Sequence, residues 1–227
     1  MKHLLTIFAL YSMIIFGSCG RKWKEPSPVG YSSIIKSNQA GSLINVTSGQ
    51  LMLEEFDVEG NRSQGQNFIQ LEKKFETGWP LALAISGSAT GVSFDIPQGT
   101  YSEIRIRLRI KEFSSSTSAT LFGTYINLVG DTLPVIFEFR DNETIEMRAK
   151  TISGSNEIVL VADNNSSATI IIDPHYWFST ITQTMLESAD TTLINSIPGI
   201  MITESDNSDI YDLIIDRIKN GNDVVFN

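Results

Sequence analysis

Between residues 101 and 113 apolar and charged side chains alternate with a period of two. Ile104, Ile106, Leu108 and Ile110 fall on one face of an extended chain, and Arg105, Arg107, Arg109 and Lys111 on the other. The aliphatic face belongs to a core. The cationic face must be wet or matched by acids. Similar β patterns recur at residues 50–58, 67–75, 81–85, 92–96, 119–128, 135–140, 144–152, 157–161 and 168–172. Gly, Asn, Ser or Pro clusters separate many of these runs, as at 59–61, 97–99, 141–142, 154–156 and 164–166. The gaps are too short for helical crossovers, which predicts antiparallel pairing. The expected fold is mainly β, an antiparallel β-sandwich over residues 41–227.

At Asp173 the period changes. Asp173 fits a helix N-cap and Pro174 the first helical position, with Ile172 and Trp177 placed for a hydrophobic staple. A helix is predicted from 174 to about 188, an extended segment over 197–203, and a second helix from about 208 to 220. Ile210, Leu213, Ile214 and Ile218 form the apolar stripe of that helix. Asp209 and Asp212 stand early in it, and Arg217 and Lys219 late. The helical segment, about 174–227, is expected to cover one end or face of the sandwich. Residues 20–38 hold Pro26, Pro28, Gly30 and several Ser without an apolar period. They read as a flexible tether, which puts residues 19–40 outside the domain.

With 227 residues the chain is long enough for one domain with its own core. Its formal charge of −9 disfavours nucleic acid, whose phosphates select Lys and Arg. The first residues add a location. Lys2 precedes a nearly unbroken apolar run over 4–16, too short to span a bilayer and of signal-peptide length. Gly17 and Ser18 lead to Cys19, the single cysteine of the chain. This start resembles the lipobox of bacterial lipoproteins, with Phe16 in place of the usual Leu. The resemblance implies a signal peptide over 1–18, cleavage before Cys19, and acylation of that residue. The membrane link is then the lipid on Cys19. The implied location is the cell envelope, as an outer-membrane lipoprotein facing the periplasm or the exterior. Arg21, Lys22 and Lys24 surround Trp23 beside the anchor, either solvated or against anionic headgroups.

The inventory of reactive groups is thin. Acylation of Cys19 leaves no thiol, and removal of the signal leaves His175 as the sole histidine. No G-x-S-x-G is present, since the run from Gly87 to Gly91 centres on Ala89. One histidine without a free thiol is a poor zinc site. No catalytic residue, metal or cofactor is expected. Glu54, Glu55 and Asp57 are acids close in sequence, the starting material for a carboxylate glycosidase, but no spacing fixes an opposing wall. Glu204, Asp206, Asn207 and Asp209 offer oxygen ligands of the kind calcium takes, and Asp206 to Asp209 also suit helix capping. Trp79 and Tyr125 would stack on sugars if exposed, or fill the core. Arg105, Arg107, Arg109 and Lys111 have two readings: a sheet face paired with acids such as Glu138, Glu143 or Glu146, or a stripe that grips an anionic glycan or a partner's carboxylates.

The run Pro97-Gln98-Gly99-Thr100-Tyr101-Ser102-Glu103-Ile104-Arg105 resembles the P-x-G-x-Y-x-x-I-R strand start of a Bacteroidota lipoprotein family. Leu121 to Tyr125, Pro134 to Phe139, and Ile172-Asp173-Pro174 with Trp177-Phe178 are similar to further family segments. The resemblance covers about residues 50–178. It implies a transthyretin-like or immunoglobulin-like sandwich and brings no activity or catalytic residue with it. The function expected from all of this is a non-enzymatic binding or accessory module for a glycan or a protein partner. The alternatives are a structural subunit of an envelope complex without a small ligand and, behind it, a carboxylate-dependent glycan hydrolase.

Overall fold

The computed structural model describes residues 25–36, 41–64, 67–112, 117–140, 142–162 and 164–227. Cys19 and the segment before it lie outside the described residues. The elements in chain order are β1 (Pro26–Ile35), β2 (Ile44–Arg62), β3 (Phe68–Ala84), β4 (Ser88–Pro97), β5 (Gly99–Ile110), β6 (Ala119–Ile126), β7 (Thr132–Phe139), β8 (Thr144–Thr151), β9 (Ile158–Leu160) and β10 (Ser166–Ile172). They continue with α1 (Pro174–Phe178), α2 (Gln183–Ser188), β11 (Thr191–Ile194), β12 (Ile197–Ile202), α3 (Ser208–Ile215) and β13 (Asp223–Phe226). The protein is mainly β. Its strands form one sheet in the order β11-β12-β7-β6-β2-β5-β8-β13-β10-β1-β4, with β3 added to β2 and β9 to β5. No helix among the described residues is long and apolar enough to cross a membrane.

The sheet is mixed, which corrects the antiparallel expectation. The β1–β10, β12–β7 and β13–β8 pairings are parallel. Short gaps force antiparallel pairing only between strands consecutive in sequence, and these three pairs join strands far apart in the chain.

The tether expected over 19–40 is corrected for residues 26–35; residues 19–24 and 37–40 lie outside the described residues. Pro26–Ile35 is a strand between β4 and β10, with Val29, Tyr31 and Ile35 in the core. Its prolines hid it. The ladder to β10 begins only at Val29, so before that point one side of β1 has no ladder for a missing proline N–H to interrupt. Lys36, at the end of β1, places Nζ 2.6 Å from Oδ2 of Asp173. Asp173 caps α1 as expected, accepting from the N–H of Tyr176 at 3.2 Å.

The helix expected from 174 to 188 is two short helices. α1 stops at Phe178, and Thr182 caps α2 with its own side chain. The second expected helix ends at Ile215, and β13 follows it. The runs 67–75 and 81–85 are parts of the single strand β3. Between the pairs Leu53↔Trp79 and Glu55↔Lys74, β3 advances five residues against two on β2, so β3 bulges there.

β2 sets the geometry of the domain. Its first half pairs with β6 and its second half with β5. Leu51 and Leu53 are buried, then Phe56 and Val58, so the inward parity flips at Glu54. The ladder to β5 skips at that residue: Leu53 faces Ile110 and Glu55 faces Arg109. One extra residue turns every later side chain to the opposite face. The bulge therefore sends Glu55, Asp57 and Glu59 outward together.

The sheet folds back on itself. Tyr31 on β1 meets Phe56 on β2 with ring centroids 4.9 Å apart, and Phe94 on β4 meets Phe56 at 5.5 Å. Four strands separate β1 from β2 along the ladder, so these contacts cross the interior. The end strand β4 approaches β3, where the indole N–H of Trp79 donates to the carbonyl of Thr90 at 2.9 Å. Ile104, Ile106, Leu108 and Ile110 are all fully buried, as their period predicts.

Candidate functional site

The outer face of β3, β2, β5 and β8 carries a lattice of charges set by register. One row reads Glu72, Asp57, Arg107, Glu146 across the four strands. The next reads Lys74, Glu55, Arg109, Thr144, and the third Gln70, Glu59, Arg105, Arg148. The cations of the Arg stripe are matched. Arg107 hydrogen-bonds Glu59 and stands 3.6 Å from Asp57. Arg109 lies 3.5 Å from Glu55, and Arg105 is 2.7 Å from Glu103 and 3.5 Å from Glu146. Arg148 joins Glu103 at 2.8 Å. Lys111 falls one residue past β5, its backbone N–H donating to Met52 O at 2.8 Å.

Of the acids named from sequence, Glu146 meets the stripe. Glu138 instead accepts from the hydroxyl of Thr117, and Glu143 pairs with Lys219. The main partners, Glu55, Asp57 and Glu59, come from β2. Sequence spacing showed that Glu55 and Asp57 share a face. The bulge at Glu54 and the β2–β5 register, which bring them to the arginines, are not visible in the sequence.

Glu55 and Asp57 are buried although they point outward, with Lys74 of β3 and Arg107 and Arg109 of β5 against them. Burial pushes the Asp57 carboxyl up to about 6, the neighbouring Glu55 adds to the rise, and Arg107 opposes it. Oδ1 of Asp57 and Nε of Arg107 are buried without a hydrogen-bond partner. The hydrogen bond from Arg105 holds Glu103 below the usual carboxylate range.

Carboxylate oxygens of Glu55, Asp57 and Glu72 lie within 4.8 Å of one another, a spacing that suits a cation. The ammonium of Lys74 is already 3.3 Å from Glu72 and 3.9 Å from Glu55, and Arg107 and Arg109 sit on the other side. These cationic side chains already stand against the three carboxylates and would have to be displaced by a divalent ion. A glycosidase needs two carboxylates facing across open space. The groove here is lined by Asp57 and Glu146 with Arg107 between them, so a guanidinium fills that space.

The structure disperses the calcium candidates. The Asn207 amide donates to the carbonyls of Asp190 and Met201, and Asp206 accepts from the hydroxyls of Thr203 and Ser205. The N-cap of α3 falls within the expected run 206–209, at Asn207, but in a left-handed conformation and without a side-chain cap bond. His175 meets Ser42, with Oγ 2.5 Å from Nδ1, a pair the sequence did not reveal. Among the described residues no carboxylate hydrogen-bonds that ring, so the orienting acid of a triad is missing there. Tyr125 is buried, and its hydroxyl donates to Glu187. Trp79 is half-buried and stacked on Phe75 at 5.4 Å. Neither offers a free sugar platform.

One exposed apolar surface lies elsewhere. Ile126, Leu128 and Val129 cluster at the tip of the β6–β7 hairpin, and Leu193 and Ile197 flank the turn of β11–β12. Leu128 is 72% exposed, Val129 81% and Leu193 71%. β12 and β7 run parallel with Ile200 opposite Val135, so Ile197 comes level with Thr132, the partner of Ile126. The two tips share one end of the sheet. No protein-family model matches the chain, no curated protein matches it, and no solved structure matches it.

Proposed function

We propose that the protein is a lipid-anchored envelope protein, held by the lipid on Cys19, that acts as a non-enzymatic binding or accessory module for a protein partner. The aliphatic end made by Ile126, Leu128, Val129, Leu193 and Ile197 carries this reading. Large apolar side chains gathered at such exposure on one end suit a protein surface better than a glycan, which selects flat aromatic platforms. The ion-paired Arg stripe supports the same choice, because an anionic glycan would first have to displace acids from Arg105, Arg107 and Arg109. On this reading the module sits in the outer membrane, facing the periplasm or the exterior. It belongs with the Bacteroidota lipoproteins of transthyretin-like or immunoglobulin-like sandwich fold. Two observations favour that membership: the fold-back of the sheet, and the hydroxyl of Tyr101 closing on Pro97 O at 2.6 Å, which gives the P-x-G-x-Y spacing a role. A structural subunit of an envelope complex would use the same end.

The test is photocrosslinking of the full chain in native envelopes from probes at Leu128, Leu193 and Arg105. A discrete protein adduct from the tips and none from Arg105 is expected. Retention on immobilised anionic glycan that disappears in Arg105→Ala and Arg109→Ala, with no tip adduct, would reverse the choice of partner. Cys19→Ala should release the protein or leave its precursor uncleaved. Retention of that variant on membranes after a high-salt wash would put the anchor elsewhere.

A further inference from the structure

We propose that the end of the domain where β1 begins rests on the bilayer through Val159, Val161 and Ile152, leaving the two hairpin tips at the far end for the partner. This rests on the Cys19 anchor of the proposed function. Five residues, and so six Cα-to-Cα steps, separate Cys19 from Glu25, and the strand starts at Pro26. A chain that long spans at most about 22 Å, against a headgroup layer of roughly 5–8 Å. The end that holds Glu25 therefore cannot stand far from the membrane.

That end is defined by contacts. The backbone N–H of Gln98 donates to Glu25 O at 2.9 Å, the N–H of Ala162 donates to Oε1 of Gln98 at 3.1 Å, and the hydroxyl of Ser27 donates to Asn164 O at 3.3 Å. Ala162 and Asn164 thus flank the start of β1. On β9, Ile158 and Leu160 point into the core, which turns Val159 and Val161 outward, at 60% and 47% exposure. Ile152, in the turn after β8, is 74% exposed and lines the same groove as Val159. Branched aliphatic side chains on a surface brought against lipid find an apolar phase there. Arg21, Lys22 and Lys24 fall in the connecting residues, where an anionic leaflet attracts them.

The tips lie at the other end. β1 runs from Pro26 to Ile35, and Lys36 just past its end contacts Asp173 of the α1 cap. His175 of α1 meets Ser42 just before β2, and there Ile44 pairs with Tyr125 beside the β6–β7 tip. Ten strand residues rise about 33 Å.

The test uses the lipidated full chain in vesicles of phosphatidylethanolamine and phosphatidylglycerol containing a headgroup spin-labelled lipid. V161C and L128C are each labelled with a thiol-reactive fluorophore, the Cys19 sulfur being blocked by its acyl chain. Circular dichroism checks the fold of both, and mass spectrometry reads the acyl group. The expected result is at least threefold stronger quenching at 161 than at 128. Acylated protein with equal quenching, or more at 128, overturns the membrane contact and leaves the anchor standing. Protein without the acyl group overturns the anchor, and the contact falls with it unless 161 is still the site quenched.

Discussion

Asp57 and Arg107 face each other across the β2–β5 ladder, yet the guanidinium gives its hydrogen bond to Glu59 and stays 3.6 Å from Asp57. The arginine closest in register is thus shared. Asp57 is left buried beside Glu55 with one oxygen unpaired. That arrangement makes the charged face a titrating element and not simply a wet surface.

The sign of the titration follows. Folded Asp57 keeps its proton up to about pH 6, while in the unfolded chain it releases it near the ordinary value of 3.8. Between those values the folded state binds more protons, so this carboxyl lowers stability as pH rises. Asp57→Asn lacks the effect. In urea melts from pH 4 to 7 the wild type should lose on the order of 1–3 kcal/mol relative to Asp57→Asn. A difference constant with pH, or one growing in favour of the wild type, would mean that Arg107 outweighs burial and Glu55.

Ile106 and Arg107 are neighbours on opposite faces. Ile106→Asp puts an unpaired charge in a fully buried site and should cost more than about 4 kcal/mol or prevent folding. Arg107→Gln keeps a donor near Glu59 and should cost about 1–2 kcal/mol. Thermal melts compare them, and equal losses would contradict the face assignment.

Asp173 holds two partners, the Tyr176 N–H and the Lys36 ammonium. Asp173→Ala removes both and should cost about 2 kcal/mol, more than a solvent-exposed cap. Asp173→Asn retains the cap and should cost about half of that. Similar losses for the two variants would assign the effect to the ion pair with β1.

Gly123 sits where β6 crosses close to β2. A Cβ there would lie 2.7 Å from the carbonyl oxygen of Asn45, a backbone atom with little room to move. Gly123→Ala should destabilise by about 1–3 kcal/mol through overpacking. Hydrogen exchange should quicken first in residues 119–126. An unchanged melting temperature would show that the two strands separate easily.

His175→Ala should leave the fold intact and cost about 1 kcal/mol through the lost Ser42 hydrogen bond. A screen against ester, peptide and glycoside substrates tests the non-enzymatic reading. Turnover that vanishes in this variant with its circular dichroism unchanged would overturn it.

By itself the sequence determined what local chemistry controls. The period of two in β5 named its buried and charged faces, because alternation is a property of any extended chain. Asp173-Pro174 named a helix start, because capping needs only residues a few positions apart. It also narrowed the reactive groups to a single cysteine and two histidines. Tertiary structure decided what depends on distant partners. Pro26–Ile35 became a strand only because β4 and β10 accept it, and β13 formed because β8 and β10 leave a slot between them. The bulge at Glu54 aimed Glu55, Asp57 and Glu59 at the arginines, and one inserted residue leaves the local pattern too short to read. The meeting of two hairpin tips separated by about sixty-five residues rests on the β7–β12 register, which burial of Ile200 and Val135 fixes and no local propensity encodes.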